Sequence, residues 1–348
     1  MIASERRNFS LYNVVVVGAS GAVGQEILKV LEERNFPVGE LKLCATSRSA
    51  GKQMVFRGRT YTVEETSFDS FDGMDIALFA GGAASKEFGP AAVERGCVVI
   101  DNSSNFRLDP QVPLVVPEVN PEDVKWHRGI IANPNCSTII MVVPLKAIKD
   151  VAGIKRVVVS TYQAVSGAGM EAIEELTVQT RAVLDGREHL PKVFPYQIAF
   201  NLIPHIDVFQ EMDYTKEEWK MVKETRKILH DDQLAITATT VRVPVYRSHS
   251  ESVNVETVEK LTAQKAREVL ANFPGIVVLD DPARKEYPMP LFCSHRDEVF
   301  VGRIREDNST ERGLNLWVVA DQLRKGAATN AVQIAELLIK YRCLRGRQ

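Results

Sequence analysis

Residues 13–24 read Asn-Val-Val-Val-Val-Gly-Ala-Ser-Gly-Ala-Val-Gly, and the change of pattern inside them sets the fold class. Four consecutive β-branched residues, Val14 to Val17, have the profile of a strand buried on both faces. After Gly18 the apolar spacing becomes helical, through Val23, Ile27, Val30 and Leu31. The turn between them is G-x-x-G-x-x-G, a variant of the glycine-rich turn that opens a dinucleotide-binding βαβ unit. Glycines let the backbone approach a pyrophosphate, and the helix N-terminus attracts its charge.

A second strand, Leu41 to Ala45, should end in Asp or Glu if the cofactor is NAD, to hold the ribose 2′-hydroxyl. Instead the chain continues Thr46-Ser47-Arg48-Ser49-Ala50-Gly51. An arginine flanked by serines suits a 2′-phosphate, which favours NADP; the plain alternative is a solvated loop arginine. The α/β rhythm continues with strands at 75–80 and 97–101 and a helix through Ala91, Ala92 and Val93. Ligands gather at the C-terminal ends of such strands, so Arg107, just past the second, is a candidate anion clamp.

Residues 133–138, Asn-Pro-Asn-Cys-Ser-Thr, lie between two apolar runs that read as a buried strand end and the first turns of a buried helix. Pro134 disfavours helical geometry at Asn133, and Asn135 is a good N-cap, which places Cys136 in the first turn. Unpaired amides and the helix dipole favour a thiolate there, and such placement can lower a thiol pKa from about 8.5 to between about 3.5 and 7.5. The alternative is a cysteine serving as a small buried hydrophobe.

Further on, a strand over 156–161 leads to Gln163, suited either to orienting an acyl group or to satisfying loop backbone. An amphipathic helix over 170–184 shows no chemistry. Another, over 215–229, has Thr215 and Glu218 as a capping box, with Glu217 and Lys220 one turn apart like an ordinary surface pair. A strand from Ala235 to Val245 carries Arg242, a charge that needs a partner and is suited to a carboxylate. His249 has the most suggestive setting of six histidines, though a lone histidine is commonly structural. Strands at 299–304 and 314–319 build a second sheet, and a helix through Ile334, Leu337, Leu338 and Tyr341 closes the chain.

Composition narrows the class. A chain of 348 residues, 45% hydrophobic and 25% charged, suggests two globular domains. A net charge of −2 argues against a large nucleic-acid footprint. Five scattered cysteines, without a CxxC pair or metal spacing, fit a reduced, cytoplasmic setting and no metal. Arg6 and Arg7 before Val14–Val17 loosely resemble a signal peptide, but the apolar run is too short and passes straight into the glycine turn. No run approaches the ~20 residues needed to span a bilayer.

The strings GASGAVG (18–24), SRSAG (47–51), SSNFR (103–107), VVPEVN (115–120), NPNCST (133–138), TYQAVSGAG (161–169), RVPVYRSHSES (242–252) and KGAATNAVQIAELL (325–338) resemble bacterial aspartate-semialdehyde dehydrogenases along essentially the whole chain. The resemblance implies an α/β protein with a Rossmann-type dinucleotide-binding domain over 1–133 plus 326–348. Residues 134–325 would form an α+β catalytic and dimerisation domain with a mixed, largely antiparallel sheet. It implies NADP-dependent, reversible reductive dephosphorylation of L-aspartyl-4-phosphate to L-aspartate 4-semialdehyde and phosphate, on the route to lysine, threonine, methionine and diaminopimelate. The implied assembly is a homodimer, with a tetramer as alternative. By motif, Cys136 is the nucleophile, His249 the acid/base, and Gln163 positions the acyl intermediate. Arg107 and Lys220 hold phosphate, while Arg242 and Glu217 hold the amino-acid end. Ser20, Gly21, Ala22, Val23, Arg48, Ser49, Ser166, Gly167 and Gln322 contact the cofactor. Many relatives should have Asn where this chain has Gln322, which puts that contact in question. The N-acetyl-glutamyl-phosphate reductases, a neighbouring type, tend to have glycine where this chain has Asn135.

Overall fold

The computed structural model describes residues 11–344; Arg6 and Arg7 lie outside them. The N-terminal part runs β1 (Tyr12–Val17), α1 (Ala22–Glu33), β2 (Val38–Ala45), β3 (Gln53–Phe56), β4 (Arg59–Thr62), β5 (Glu64–Glu65), β6 (Ile76–Phe79), α2 (Ala84–Glu94), β7 (Val98–Asp101) and β8 (Ile130–Ala132). Six of these strands form one parallel sheet in the order β5-β2-β1-β6-β7-β8, and β3 and β4 form a separate hairpin. The order reverses between β1 and β6, and the crevice at such a reversal is where α/β sheets bind ligands. The glycine turn after β1 opens there.

The second part comprises α3 (Cys136–Ala152), β9 (Ile154–Gln163), α4 (Met170–Leu184), α5 (Lys216–Ile228), β10 (Ala235–Arg242), β11 (His249–Thr257), α6 (Ala263–Ala271), β12 (Ile276–Val278), α7 (Pro290–Cys293), β13 (Val299–Glu306) and β14 (Gly313–Ala320), followed by α8 (Thr329–Lys340). Its sheet runs β10-β9-β11-β14-β13-β12. The outer pairs β10/β9 and β13/β12 are parallel and the three inner pairs antiparallel, so the sheet is mixed and largely antiparallel.

Burial explains the layering. Residues Ile139 to Val143 of α3 are fully buried, and α3 lies in one core with the inner face of the second sheet. The other sheet face carries Ser160, Tyr162, Ser252, Asn254 and Trp317, all at least partly exposed. Although last in sequence, α8 shares its core with α1 and the first sheet, through Ala331, Ile334, Ala335 and Leu338.

Near the site, three features differ from the sequence reading. β10 stops at Arg242 rather than Val245, because Pro244 has no N–H for the ladder. Gln163 is the last residue of β9 rather than a turn residue. The approach to α8 contains a π-helical turn over Arg324–Ala328, which apolar spacing does not reveal.

Candidate active site

Both halves contribute to one cavity of about 690 Å³. It runs from the glycine turn (Gly18, Ser20, Gly21, Ala22, Val23) past Ser166, Gly167 and Gln322 to Arg107, Cys136, Gln163, Glu217, Lys220 and Arg242. Of the residues singled out from sequence, Arg48, Ser49 and His249 do not line it. His249 sits directly behind Cys136. Arg48 and Ser49 occupy a short 3-10 turn beyond Thr46, which does line the cavity, and Arg48 is exposed.

Cys136 opens α3 behind the Asn135 cap, whose Oδ1 accepts from the amides of Ser137 (3.1 Å) and Thr138 (3.2 Å). The expected lowering of the thiol is not found. Burial, followed by the Glu217 carboxylate, pushes Cys136 up to about 12, although Arg107, Arg242 and the Ser137 amide pull the other way. Cys136 is half-buried and lines the cavity, and the helix end alone does not yield a thiolate.

His249 is wholly buried, and burial with the Arg242 charge takes it down to about 3, so the ring is neutral. Its Nδ1 accepts the Ala164 N–H at 3.0 Å, which leaves the ring proton on Nε2. That nitrogen lies 3.4 Å from Cys136 Sγ. A Cβ on Gly167 would come within 3.1 Å of Arg242 Nη1 and 3.5 Å of His249 Nε2, so only glycine leaves this wall uncrowded. Gly326, in the π-helical turn, likewise abuts the nucleophile: a Cβ there would lie 2.9 Å from Cys136 Cβ.

Glu217 and Lys220 are not the surface pair that their spacing suggests. Glu217 is buried; burial opposes its charge, but Lys220, Asn135 and Gln163 outweigh that and hold it down at about 2. Its Oε1 accepts from Asn135 Nδ2 (2.8 Å) and Gln163 Nε2 (3.2 Å), and its Oε2 from Lys220 Nζ (3.0 Å). Lys220 also pairs with Asp207 at 2.9 Å. Arg242 ends β10 with Nη1 donating to the Ala164 carbonyl at 2.7 Å, beside the Phe194 ring.

Arg107 is buried, with Nε on the Asn133 carbonyl (2.9 Å), Nη2 on the Asn102 carbonyl (2.7 Å) and Nη1 on Glu224 (3.1 Å). Sequence reasoning missed Glu224, as it did Asp207 and Gly326. The available signal was the spacing Glu217, Lys220, Glu224, Lys227, a charged stripe at successive turns of one helix.

The cradle fits a dinucleotide. Gly18 has φ +83°, and a Cβ on Gly24 would lie 2.2 Å from the Gly18 carbonyl oxygen, so the turn can close this tightly only with glycines. α1 begins at Gly21 with no side chain capping it, which leaves its end open to a phosphate. Gln322 lines the far wall, with Oε1 accepting the Ser248 N–H (2.8 Å) and Nε2 donating to Ser166 Oγ. Both ends of its amide already have protein partners. Among the described residues no His, Cys, Asp and Glu cluster could hold a metal, and no helix is long and apolar enough to cross a membrane.

Known proteins resemble this chain in sequence and fold. A family model described as "Semialdehyde dehydrogenase, NAD binding domain" matches residues 13–127, and "Semialdehyde dehydrogenase, dimerisation domain" matches residues 145–325. The chain is 63% identical over 335 residues to the aspartate-semialdehyde dehydrogenase of Aquifex aeolicus (strain VF5), covering 94% of this chain and 98% of that one. Among solved structures, aspartate semialdehyde dehydrogenase II from Vibrio cholerae, complexed with ASA, matches with a TM-score of 0.92 at 49% identity, covering 95% of this chain and 99% of that one. The Candida albicans aspartate semialdehyde dehydrogenase with NADP matches at 0.74 and 25% identity, covering 96% and 100%.

Proposed function

The chain belongs to the aspartate-semialdehyde dehydrogenase family of enzymes, and on that premise we propose that it uses NADP and a cysteine thioester to interconvert L-aspartyl-4-phosphate and L-aspartate 4-semialdehyde plus phosphate. The observation that carries this reading is the convergence on one cavity of a thiol, two cations for phosphate, an Arg–Glu pair for the amino-acid end and a glycine cradle.

Arg242 pairs with the substrate α-carboxylate and Glu217 with its ammonium group, which places the acyl phosphate over Cys136. Substrate binding places an ammonium beside Glu217 and so offsets the carboxylate that raises the thiol. Sulfur attacks the acyl carbon, and the C–O bond to phosphate breaks. The thiol proton leaves with the departing phosphate, whose charge Arg107 and Lys220 stabilise. A bound reduced dinucleotide supplies the hydride that reduces the thioester. Gln163 orients the acyl group. His249 Nε2–H, fixed as a donor by the Ala164 amide, stabilises the tetrahedral oxygen until the C–S bond breaks. The released thiolate takes its proton from solvent.

The glycine turn at Ser20–Val23 receives the pyrophosphate, Arg48 and Ser49 the 2′-phosphate, and Ser166 and Gly167 the nicotinamide end, with Gln322 behind them. We assign residues 1–133 plus 326–348 to the cofactor domain and 134–325 to the catalytic and dimerisation domain. The open face of the second sheet, with Tyr162 and Trp317 in ring contact at 5.3 Å, suits a second copy in a homodimer. The test is phosphate-dependent reduction of NADP by aspartate semialdehyde. Reduction that proceeds equally well without phosphate, or that prefers NAD, overturns the corresponding part of the reading.

A further inference from the structure

The stripe Glu217, Lys220, Glu224, Lys227 on α5 contains two residues that the mechanism does not use. Glu224 is 1% exposed and outside the cavity lining, yet each of its oxygens holds a part of the site. Oε1 pairs with Arg107 Nη1 at 3.1 Å, and Oε2 accepts the Asn135 N–H at 2.6 Å, at the cap of the nucleophile's helix. One turn on, Lys227 Nζ donates to the carbonyls of Arg107 (2.8 Å), Asp109 (2.7 Å) and Val112 (2.8 Å), pinning the backbone of the same loop.

A buried ion pair adds little net stability compared with apolar packing, so its retention here calls for another role. The donors of Arg107 suggest it. Three of its five N–H groups are engaged by Asn133, Asn102 and Glu224, which fixes the guanidinium plane and leaves two for a ligand. A long side chain already locked in its binding rotamer loses little entropy when the anion arrives. Shared between Arg107 and the Asn135 amide, one carboxylate also sets the anion clamp relative to Cys136.

We propose that Glu224 is a positioning residue that locks Arg107 in register with the N-terminus of α3, so that phosphate is held beside the acyl carbon carried on Cys136, where it leaves in one direction and attacks in the other. This rests on the reading of Arg107 as the phosphate clamp.

The test is steady-state kinetics of semialdehyde oxidation with phosphate as the varied substrate. Glu224→Gln keeps the shape and an acceptor for the Asn135 amide but removes the ion pair. It should raise the KM for phosphate about tenfold or more while leaving the KM for semialdehyde and dinucleotide within about twofold. In an Arg107→Leu background the same change should add nothing further to the phosphate KM, because the two act as a unit. If Arg107→Leu alone leaves the phosphate KM unchanged, the clamp reading fails and this proposal with it. If Arg107→Leu raises it, three results overturn Glu224 specifically: no effect of Glu224→Gln, an equal rise in all three constants, or full additivity with Arg107→Leu. Should the glutamine variant be insoluble, Glu224→Asp, which keeps the charge but shortens its reach, is expected to give the same selective rise, and any other pattern counts against the proposal.

Discussion

Two helix N-termini meet in this cavity, and they are finished in opposite ways. α1 starts at Gly21 with no side-chain cap, and its end stays open to a ligand. α3 is capped by Asn135, whose Oδ1 takes the Ser137 and Thr138 amides, whose own amide goes to Glu224 and whose Nδ2 goes to Glu217. An open end keeps its partial positive charge for an anion, whereas a capped end shares it with its own side chains. Burial first, and the Glu217 carboxylate that the cap brings close second, leave Cys136 a protonated thiol although it sits at a helix start. Position on a helix does not activate a cysteine that is buried with a carboxylate beside it.

The comparison breaks most sharply if either end is disabled. Cys136→Ser should lower turnover about a thousandfold or more while keeping the fold and dinucleotide binding, because an alcohol is a far weaker nucleophile at neutral pH. Turnover and a binding titration on the same sample check this, and a variant retaining most activity would end the thioester mechanism. At the other end, Gly24→Ala places a methyl group 2.2 Å from the Gly18 carbonyl oxygen and 2.6 Å from Ala19 Cα. Displacing the cradle in this way should weaken dinucleotide binding about a hundredfold. Alkylation of Cys136 by iodoacetamide should be unchanged, since α3 is built from other segments. Loss of both together would show that the two ends are not independent.

How legible each end was in sequence follows from what it is made of. The α1 end is backbone geometry, and backbone geometry is written locally: four valines, then glycines at fixed offsets, then helical spacing. The cap of α3 was equally local, since Pro134 and Asn135 sit beside it. The charge around Cys136 was not, because Glu217, Glu224, Arg107 and Arg242 reach it from distant segments. Glu217 and Lys220 looked like a surface pair because helical spacing does not say which face is buried. His249 was visible only as a histidine in a serine-rich strand start; its tautomer depends on the Ala164 amide, 85 residues away in sequence. The open sheet face was invisible too, since alternation shows which residues share a face but not what covers it.

A smaller effect tests the outer edge of the cofactor end. Arg48 is exposed and lies in a turn beyond the cavity wall, and its proposed partner is the 2′-phosphate. Arg48→Ala should raise the KM for NADP about tenfold and leave that for NAD nearly unchanged, as expected for a surface-accessible arginine–phosphate contact. Equal losses for both cofactors would remove Arg48 from the 2′-phosphate site.

The last prediction concerns the sulfur itself, where the two helix ends differ most in their electrostatics. In the ligand-free protein the thiol is raised to about 12, with burial as the first cause and Glu217 as the second. Below that value the reactive thiolate fraction grows about tenfold per pH unit, so iodoacetamide alkylation of Cys136 should keep rising through pH 9 without a plateau. A cysteine activated by its helix end would level off near neutral pH. Glu217→Gln removes the carboxylate and frees part of the Lys220 charge, and both changes favour the thiolate. Glutamine can still accept from Asn135 Nδ2, so the cap should stay in place. The alkylation profile should therefore move to lower pH by about one unit. Turnover should fall in the same variant, as the proposed contact of Glu217 with the amino-acid end requires. A cysteine that becomes more reactive while the enzyme becomes slower would separate thiol activation from substrate placement. A profile that stays put or moves to higher pH would show that the Glu217 charge does not reach the sulfur, and the capped end would then need another explanation.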